Sequence, residues 1–267
     1  MIPSYDRHLA INDKSIRVLL DAGYMPEQID VFVANMDEYE KYRLVLDKGI
    51  SIIVGEKGLK KIREFIFRYY EEGTQILCLD DDIEMIKMKN PDMDEKSSWA
   101  KQELLDLKKE VSTGFDECIK TGKHIWGLYP VDNHFFMKNT ISYDYKFIIG
   151  NFFGLIVNKE ANQLSVGELD DYERSIRHYL LDGGVVRLNY LVAKTKFKKN
   201  KGGANALEFN REERMVLDQK LLCEHYPRLV YLKKKKDGSL NPMLKDMRDV
   251  KYDLNHYEFA LDHQLKA

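Results

Sequence analysis

Ile76-Leu77-Cys78-Leu79-Asp80-Asp81-Asp82-Ile83 is an apolar run that ends in three carboxylates. Four apolar residues in succession, just after Gly73-Thr74-Gln75, read as a fully buried strand of the kind found inside parallel sheets. Open α/β sheets bind their ligands at the carboxyl ends of such strands. If the chain stays extended, alternation sends Asp80 and Asp82 to one side and Asp81 to the other. Two convergent carboxylates repel unless positive charge lies between them, and Mg²⁺ or Mn²⁺ shared with substrate phosphates supplies it. The competing reading is an acidic turn that caps the next helix.

Working outward, strands and helices alternate at short spacing. Residues 14–22, with Ile16, Leu19 and Leu20 on one face, read as a helix stopped by Gly23 and Pro26. Residues 28–34 read as a strand, 37–47 as a polar helix, 50–54 as a second buried strand and 59–72 as a helix. This repetition is the pattern of an α/β fold with a mostly parallel sheet flanked by helices. At the start, Met1-Ile2 is short for an inner strand, yet Pro3-Ser4-Tyr5-Asp6-Arg7 looks like the loop that follows one. A strand truncated before Met1 and an unusually tight start are both open. Residues 92–123 read as charged helix with an apolar stripe of Leu104, Leu105, Val111, Phe115 and Ile119. Beyond Gly122, residues 125–129, 135–137 and 147–157 read as aromatic-rich strands in an antiparallel or mixed extension. A helix over 170–181 ends at Gly183-Gly184, and 185–192 is a strand. A basic loop, 194–203, leads to a charged helix near 208–225; the last thirty residues carry no clear pattern. With no repeat or low-complexity linker, one continuous domain is expected over 1–267, its halves meeting near residue 123.

Composition narrows the class. The 267 residues carry a formal net charge of −2, so any nucleic-acid contact must come from local patches. Cys78, Cys118 and Cys223 are odd in number and widely spaced, which fits a reducing compartment and no metal or disulfide framework. There is no signal peptide and no apolar run of membrane-spanning length, so a soluble, cytoplasmic protein with no membrane partner is expected.

Several polar clusters fall at strand ends. Pro3-Ser4-Tyr5-Asp6-Arg7 suits a nucleotide base or phosphate, or a plain helix cap. Ala34-Asn35-Met36-Asp37-Glu38 offers the same two readings. Gly55 to Arg63 sets glycines and cations between a strand and a helix, which suits a diphosphate but matches neither a Walker A loop nor a dinucleotide fingerprint. A second acidic cluster, Gly167-Glu168-Leu169-Asp170-Asp171-Tyr172-Glu173, opens a helix. Carboxylates there are stabilised as caps by the dipole, or one of them takes a proton from an acceptor hydroxyl.

Taken in this order, the pieces make the sequence resemble the GT-A glycosyltransferases, and within them the base J-type DNA glucosyltransferases and their phage relatives, the TET-associated glycosyltransferases. The resemblance covers most of the first two hundred residues. It rests on Pro3 to Arg7, Asp30-Val31-Phe32-Val33-Ala34 followed by Glu38-Tyr39-Glu40-Lys41-Tyr42, Gly58 through Arg63, and the Asp triplet. It continues with Trp126-Gly127-Leu128-Tyr129-Pro130, Asp170-Asp171-Tyr172-Glu173 with Arg177 and Gly183-Gly184, and Lys199-Asn200-Lys201-Gly202-Gly203. What it implies is a GT-A fold and a nucleotide-sugar donor, UDP-glucose. Pro3, Ser4, Tyr5 and Arg7 would hold the uridine and diphosphate, with Asp37 or Glu38 near the base, and Gly58, Arg63, Asp80 and Asp81 also on the donor. Asp80 and Asp82 would match a metal-binding Asp-x-Asp for Mn²⁺ or Mg²⁺, with His225 as a candidate third ligand or a structural histidine. Asp171 falls at the family's base, and Asp170 replaces the usual preceding Glu. Glu64 stands where many relatives have Asn.

The implied acceptor is the hydroxymethyl group of 5-hydroxymethyluracil in DNA. Residues 185–207 hold six basic residues, Arg187, Lys194, Lys196, Lys198, Lys199 and Lys201, and no acidic one. That suits a phosphate backbone, as a loop closing over donor or DNA. A second run, Arg228 with 233–236, reads as solvated surface. Trp126, Tyr129, Phe152 and Phe153 are available for an aromatic pocket that takes a flipped base, with core packing as the alternative for Trp126 and Tyr129. Two other functions stand beside this one. A GT-A enzyme could act on a glycan, lipid-linked or small-molecule acceptor, or a silent domain could bind nucleotide or DNA without turnover.

Overall fold

The computed structural model describes residues 1–90, 101–104, 106–195, 211–236 and 238–245. Strands β1 (Ile2–Pro3), β2 (Asp30–Val33) and β3 (Ser51–Val54) run parallel in the order β1-β2-β3. Strand β4 (Gln75–Leu79) extends this sheet past β1, because the Met1 nitrogen donates to Leu77 O at 2.7 Å and Leu79 N–H donates to Met1 O at 3.1 Å. Short as it is, β1 is therefore an inner strand. Further along the chain come β5 (Met85–Lys89), β6 (Lys101–Glu103), β7 (Ile125–Leu128), β8 (Ile141–Ser142), β9 (Phe152–Ile156), β10 (Val186–Leu188) and β11 (Leu191–Lys194). From β4 the order runs β4-β9-β7-β10-β8, mixed in direction, with only β7 and β10 parallel. A separate antiparallel layer, β11-β5-β6, crosses the carboxyl side of β4.

Helices α1 (Arg17–Asp21), α2 (Met36–Arg43), α3 (Leu59–Tyr69), α4 (Leu107–Thr121), α5 (Asp170–Asp182) and α6 (Arg211–His225) flank the strands. A hairpin of β12 (Val230–Lys234) and β13 (Leu240–Leu244) follows α6. Local chemistry explains the helix ends. Asn35 caps α2 by accepting the Glu38 N–H at 2.9 Å, and Asp106 does the same for α4 through Lys109. Gly122 and Gly183 close α4 and α5 in the left-handed conformation that glycine adopts without strain. This is the mixed, mostly parallel α/β architecture expected.

Several expectations need correction. The strand at 51–54 sits at the sheet edge, with Ser51 exposed and its neighbours half-buried, because β3 has only β2 as a partner. Of the segment expected to be helical, 92–100 and Leu105 lie outside the described residues, Lys101–Glu103 form strand β6, and Ile119 is 61% exposed rather than part of the apolar stripe. Residues 135–137 form no strand; Phe135 and Phe136 stand exposed on a loop. The strand expected over 185–192 is two strands in different sheets. Trp126 is core: it is 1% exposed, packs edge-on to Phe115 and Phe152, and covers Gly114 and Gly154, where any Cβ would run into its ring. Phe152 and Phe153 are equally buried, so they line no acceptor pocket. No helix among the described residues is long and apolar enough to cross a membrane.

Candidate active site

The chain leaves β4 at Leu79, so the Asp triplet lies in a turn and not on extended strand. Alternation does not apply there, and no helix follows for the triplet to cap. Ser15 pins the turn: its hydroxyl donates to Asp80 O at 2.6 Å and accepts Ile83 N–H at 3.0 Å. Asp81 points inward, takes the Ser4 hydroxyl at 2.6 Å and pairs with Arg7. The same guanidinium is 3.3 Å from Asp82. Asp80 faces the other way, toward Arg63 at 3.5 Å, with 38% of its side chain exposed. Burial in the cleft raises the Asp80 carboxyl to about 7; Arg63 opposes this, and Asp82, Asp81 and Asp170 reinforce it. Burial also raises Asp81.

The loop after β1 serves this turn. Ser4 and Tyr42 share a 2.6 Å hydrogen bond, and the Tyr42 hydroxyl also accepts Arg7 N–H at 3.1 Å. Buried Glu38 accepts Asp6 N–H at 2.6 Å and pairs with Lys41, while Asp37 is exposed. Pro3 and Tyr5 are half-buried beside them. Gly58, at φ 106°, opens α3 in a conformation few other residues adopt, and one turn later Arg63 projects inward.

Arg63 connects the two acidic clusters, since it pairs with Asp170 as well as Asp80. Asp170 also pairs with Arg174, one helical turn along α5. Burial would raise Asp170, but the two guanidinium groups outweigh it and hold the carboxyl below its ordinary range. Its neighbour behaves in the opposite sense. Burial first, then the Asp170 charge, push Asp171 up to about 6 against the pull of Arg174 and Arg63. Asp171 Oδ1 accepts Tyr172 N–H at 2.9 Å, and Gly150 lies against both Asp171 and Arg63. Two adjacent carboxylates are thus set apart by their surroundings.

The structure brings Ser4, Arg7, Asp81 and Asp82 into one bonded group and Arg63, Asp80 and Asp170 into a second, the two joined at the Asp80–Asp81 peptide bond, with Asp171 beside the second and under the charges of Asp170 and Arg63. Other candidates fall elsewhere. The His225 ring lies 3.1 Å from the Ser165 hydroxyl, and among the described residues no three His, Cys, Asp or Glu side chains are placed to hold a metal ion. His225 therefore does not join Asp80 and Asp82. Tyr129 is half-buried under Arg187, at 5.2 Å. Lys194 pairs with Glu84, whereas Lys196, Lys198, Lys199 and Lys201 lie outside the described residues. Within the second acidic cluster, Glu168 binds Arg211 and Arg214, and Glu173 holds Ser165 and Tyr226, so both are structural. Arg174, Tyr42 and Ser15 were not foreseen. The spacing of Arg174 four residues after Asp170 was a usable signal, and Tyr42 stood in one of the motifs that carry the resemblance; the Ser15 contact joins distant segments and left none.

Comparison with known proteins fits the architecture. Crystallised S. aureus TarS 1–349, in complex with UDP-GlcNAc, superposes with a TM-score of 0.53 at 11% identity, covering 99% of this chain and 70% of that one. A second crystal structure of TarS 1–349 gives 0.45 at 11% identity, over 85% and 71% of the two chains, too low to bear on the fold. No protein-family model and no curated protein sequence matches the chain. The fold is of the GT-A glycosyltransferase type.

Proposed function

We propose that the chain is a nucleotide-sugar-dependent glycosyltransferase with a UDP-sugar donor, inverting, with Asp171 as its base. The observation that carries this reading is the split between Asp170 and Asp171, tied through Arg63 to Asp80. A base must be ionised near neutral pH yet hold a proton well enough to accept one, and a carboxyl near 6 meets both needs. Asp170, clamped by two arginines, keeps its charge and orients them, so it positions and does not transfer protons.

The turn after β4 fits a hard cation. It sets three successive carboxylates beside Arg7 and a shared Arg63, and burial first, then the charges of Asp82, Asp81 and Asp170, leave Asp80 raised. Asp80 and Asp82 would hold Mn²⁺ or Mg²⁺, whose charge when bound stabilises the UDP leaving group. Ser4, Tyr42 and Arg7 keep Asp81 and Asp82 in place beneath it. Asp171 takes the proton of the acceptor hydroxyl as its oxygen attacks the anomeric carbon from the face opposite the diphosphate. The bond to the diphosphate breaks, UDP leaves and the anomeric centre is inverted. In this reading residues 1–123 hold the donor and 124–267 present the acceptor.

The finer assignment is glucose delivered to 5-hydroxymethyluracil in DNA. It is supported by the ordered series of motifs and by the basic stretch 185–207. UDP release from UDP-glucose and from UDP-GlcNAc, with Mn²⁺ or Mg²⁺, on duplexes with and without 5-hydroxymethyluracil tests every part. Release that requires the modified base and is lost in Asp171→Asn is the expected result. Release indifferent to DNA would move the acceptor to a glycan or small molecule, and no release with any donor would leave a silent binding domain.

A further inference from the structure

A cavity of about 740 Å³ opens beside the first turn of α5, lined by Tyr145, Phe147, Tyr172, Tyr179, Met243 and Lys245 among others. Its volume falls within the ~300–1,000 Å³ typical of small-molecule sites. The aromatic wall is built from two ring pairs, Phe147 with Tyr172 and Tyr145 with Tyr179, each with centroids 4.4 Å apart. Tyr172 directly follows Asp171 and donates its N–H to that carboxylate, so the wall and the proposed base share a peptide bond.

The opposite wall comes from the β12–β13 hairpin, and its register says which side chains face the cavity. Tyr231 pairs with Met243 and Lys233 with Asn241. Residues directly opposed on two strands share a face. Tyr231 and Lys233 therefore stand on the same side as Met243, which lines the cavity, and Asn241, which reaches the Tyr172 hydroxyl. Lys233, Lys234, Lys235 and Lys236 are all exposed, and the one acidic residue of the 230–244 sequence, Asp237, lies outside the described residues. Of the cavity's own cations, Lys146 pairs with Asp144 at 2.9 Å and Lys245 donates to Pro227 O at 2.7 Å.

Stacked rings beside a run of lysines suit one ligand chemistry above others: a planar base carried on a phosphodiester chain. We propose that this cavity takes the acceptor base of a polynucleotide, rotated out of its stack, while the hairpin lysines hold the flanking phosphates. The placement rests on the glycosyltransferase reading with a DNA acceptor, and it assigns the lysines of 233–236 a role where the sequence pattern alone read solvated surface. A ring stacked on Tyr172 lies one residue from the carboxylate that must take its hydroxyl proton.

The test uses a 5-hydroxymethyluracil duplex with 2-aminopurine beside the target, whose fluorescence rises when its neighbour leaves the stack. Wild-type protein is compared with a Lys233→Ala/Lys235→Ala double variant and with Met243→Trp, which fills the cavity. Affinity for UDP and thermal stability, measured alongside, show that each variant is folded. The double variant should bind the duplex about tenfold more weakly near 0.1 M salt, with the log–log salt slope flattened by about 2, as for two lost phosphate contacts. Met243→Trp should keep most of the affinity but lose the 2-aminopurine signal and at least about tenfold in transfer rate. Wild-type protein that modifies DNA, with both variants equal to it, would overturn this placement alone. Wild-type protein that releases UDP but neither binds nor modifies DNA would overturn the DNA reading as well. Competition by a neutral oligosaccharide, where the duplex does not compete, would hand the cavity to a glycan.

Discussion

The two acidic clusters of the site are built alike and balanced differently. At the end of β4, Asp80, Asp81 and Asp82 face one arginine of their own, Arg7, and a share of Arg63. At the start of α5, Asp170 and Asp171 face the rest of Arg63 and all of Arg174. The first cluster sets three carboxylates side by side with Asp80 raised and its side chain 38% exposed, which is where a cation and a diphosphate would be welcome. In the second, charge is matched, and the surplus proton affinity is confined to a single carboxyl, Asp171. One cluster is arranged to bind charge, the other to move a proton.

The largest expected effects come from breaking each cluster at its working member. Asp171→Asn should lower kcat by about 10²–10⁴-fold with the donor affinity nearly intact, because it removes a proton acceptor and no positive charge. Asp82→Ala, or removal of divalent cations with a chelator, should abolish turnover instead by weakening donor binding and leaving-group departure. Readdition of Mn²⁺ or Mg²⁺ should restore the chelated wild type but not the variant. Isothermal titration of UDP with and without metal separates the two cases. If both variants lost donor affinity equally, the division of labour between the clusters would be wrong.

Next in size is the structural clamp. Arg174 is fully buried, lies 4.4 Å from the Phe153 ring, and its Nε and Nη1 find no hydrogen-bond partner among the described residues. Its contribution is therefore concentrated in Asp170. Arg174→Met leaves a buried carboxylate with one partner in place of two, and loss of a partner from a buried ion pair costs about 3–5 kcal/mol. Urea unfolding should register a loss of that order. The matching change in the other cluster, Ser4→Ala, removes one hydrogen bond to Asp81 and leaves its ion pair, for about 1–3 kcal/mol. A loss in Ser4→Ala equal to that in Arg174→Met would mean that the clusters are compensated alike after all.

Much of this was readable from the chain, for identifiable reasons. Buried parallel strands are continuous apolar runs, so β2 and β4 stand out, and the ligand end of β4 follows from the class of sheet. Adjacent carboxylates at 170–171 and the arginine after Gly58 are local signals. What was not legible depended on contacts between distant segments. Nothing near Trp126 says that Gly114 and Gly154 are spaced to receive its ring, so composition favoured core packing but left a stacking role open. Alternation failed at Asp80 to Asp82 because Ser15, sixty-five residues away, turns the chain there. The cavity was not legible because β12 runs into consecutive lysines and β13 holds Pro242, which mask both strands, and their pairing is what gives Lys233 and Tyr231 a side.

The smallest effect is the most direct reading of the contrast between Asp170 and Asp171. A base works only when deprotonated, so with saturating divalent cation, whose charge would keep Asp80 ionised, kcat should be constant above the Asp171 midpoint and fall tenfold per unit below it. Burial and the Asp170 charge set that midpoint at about 6, above the ordinary carboxylate range. At pH 5 about a tenth of the rate should remain, a difference of about 1.4 kcal/mol. The acid limb should vanish in Asp171→Asn, whose residual rate has no carboxyl at 171 to titrate. A limb centred near 4 would describe an ordinary exposed carboxylate and erase the distinction between the neighbours. Below pH 4 the two neighbours should part again. Asp170, held low by two arginines, keeps its charge after Asp171 has lost its own, so inactivation precedes any loss of the clamp. Thermal melting followed in parallel with turnover should therefore show activity failing about a pH unit or more before the fold does.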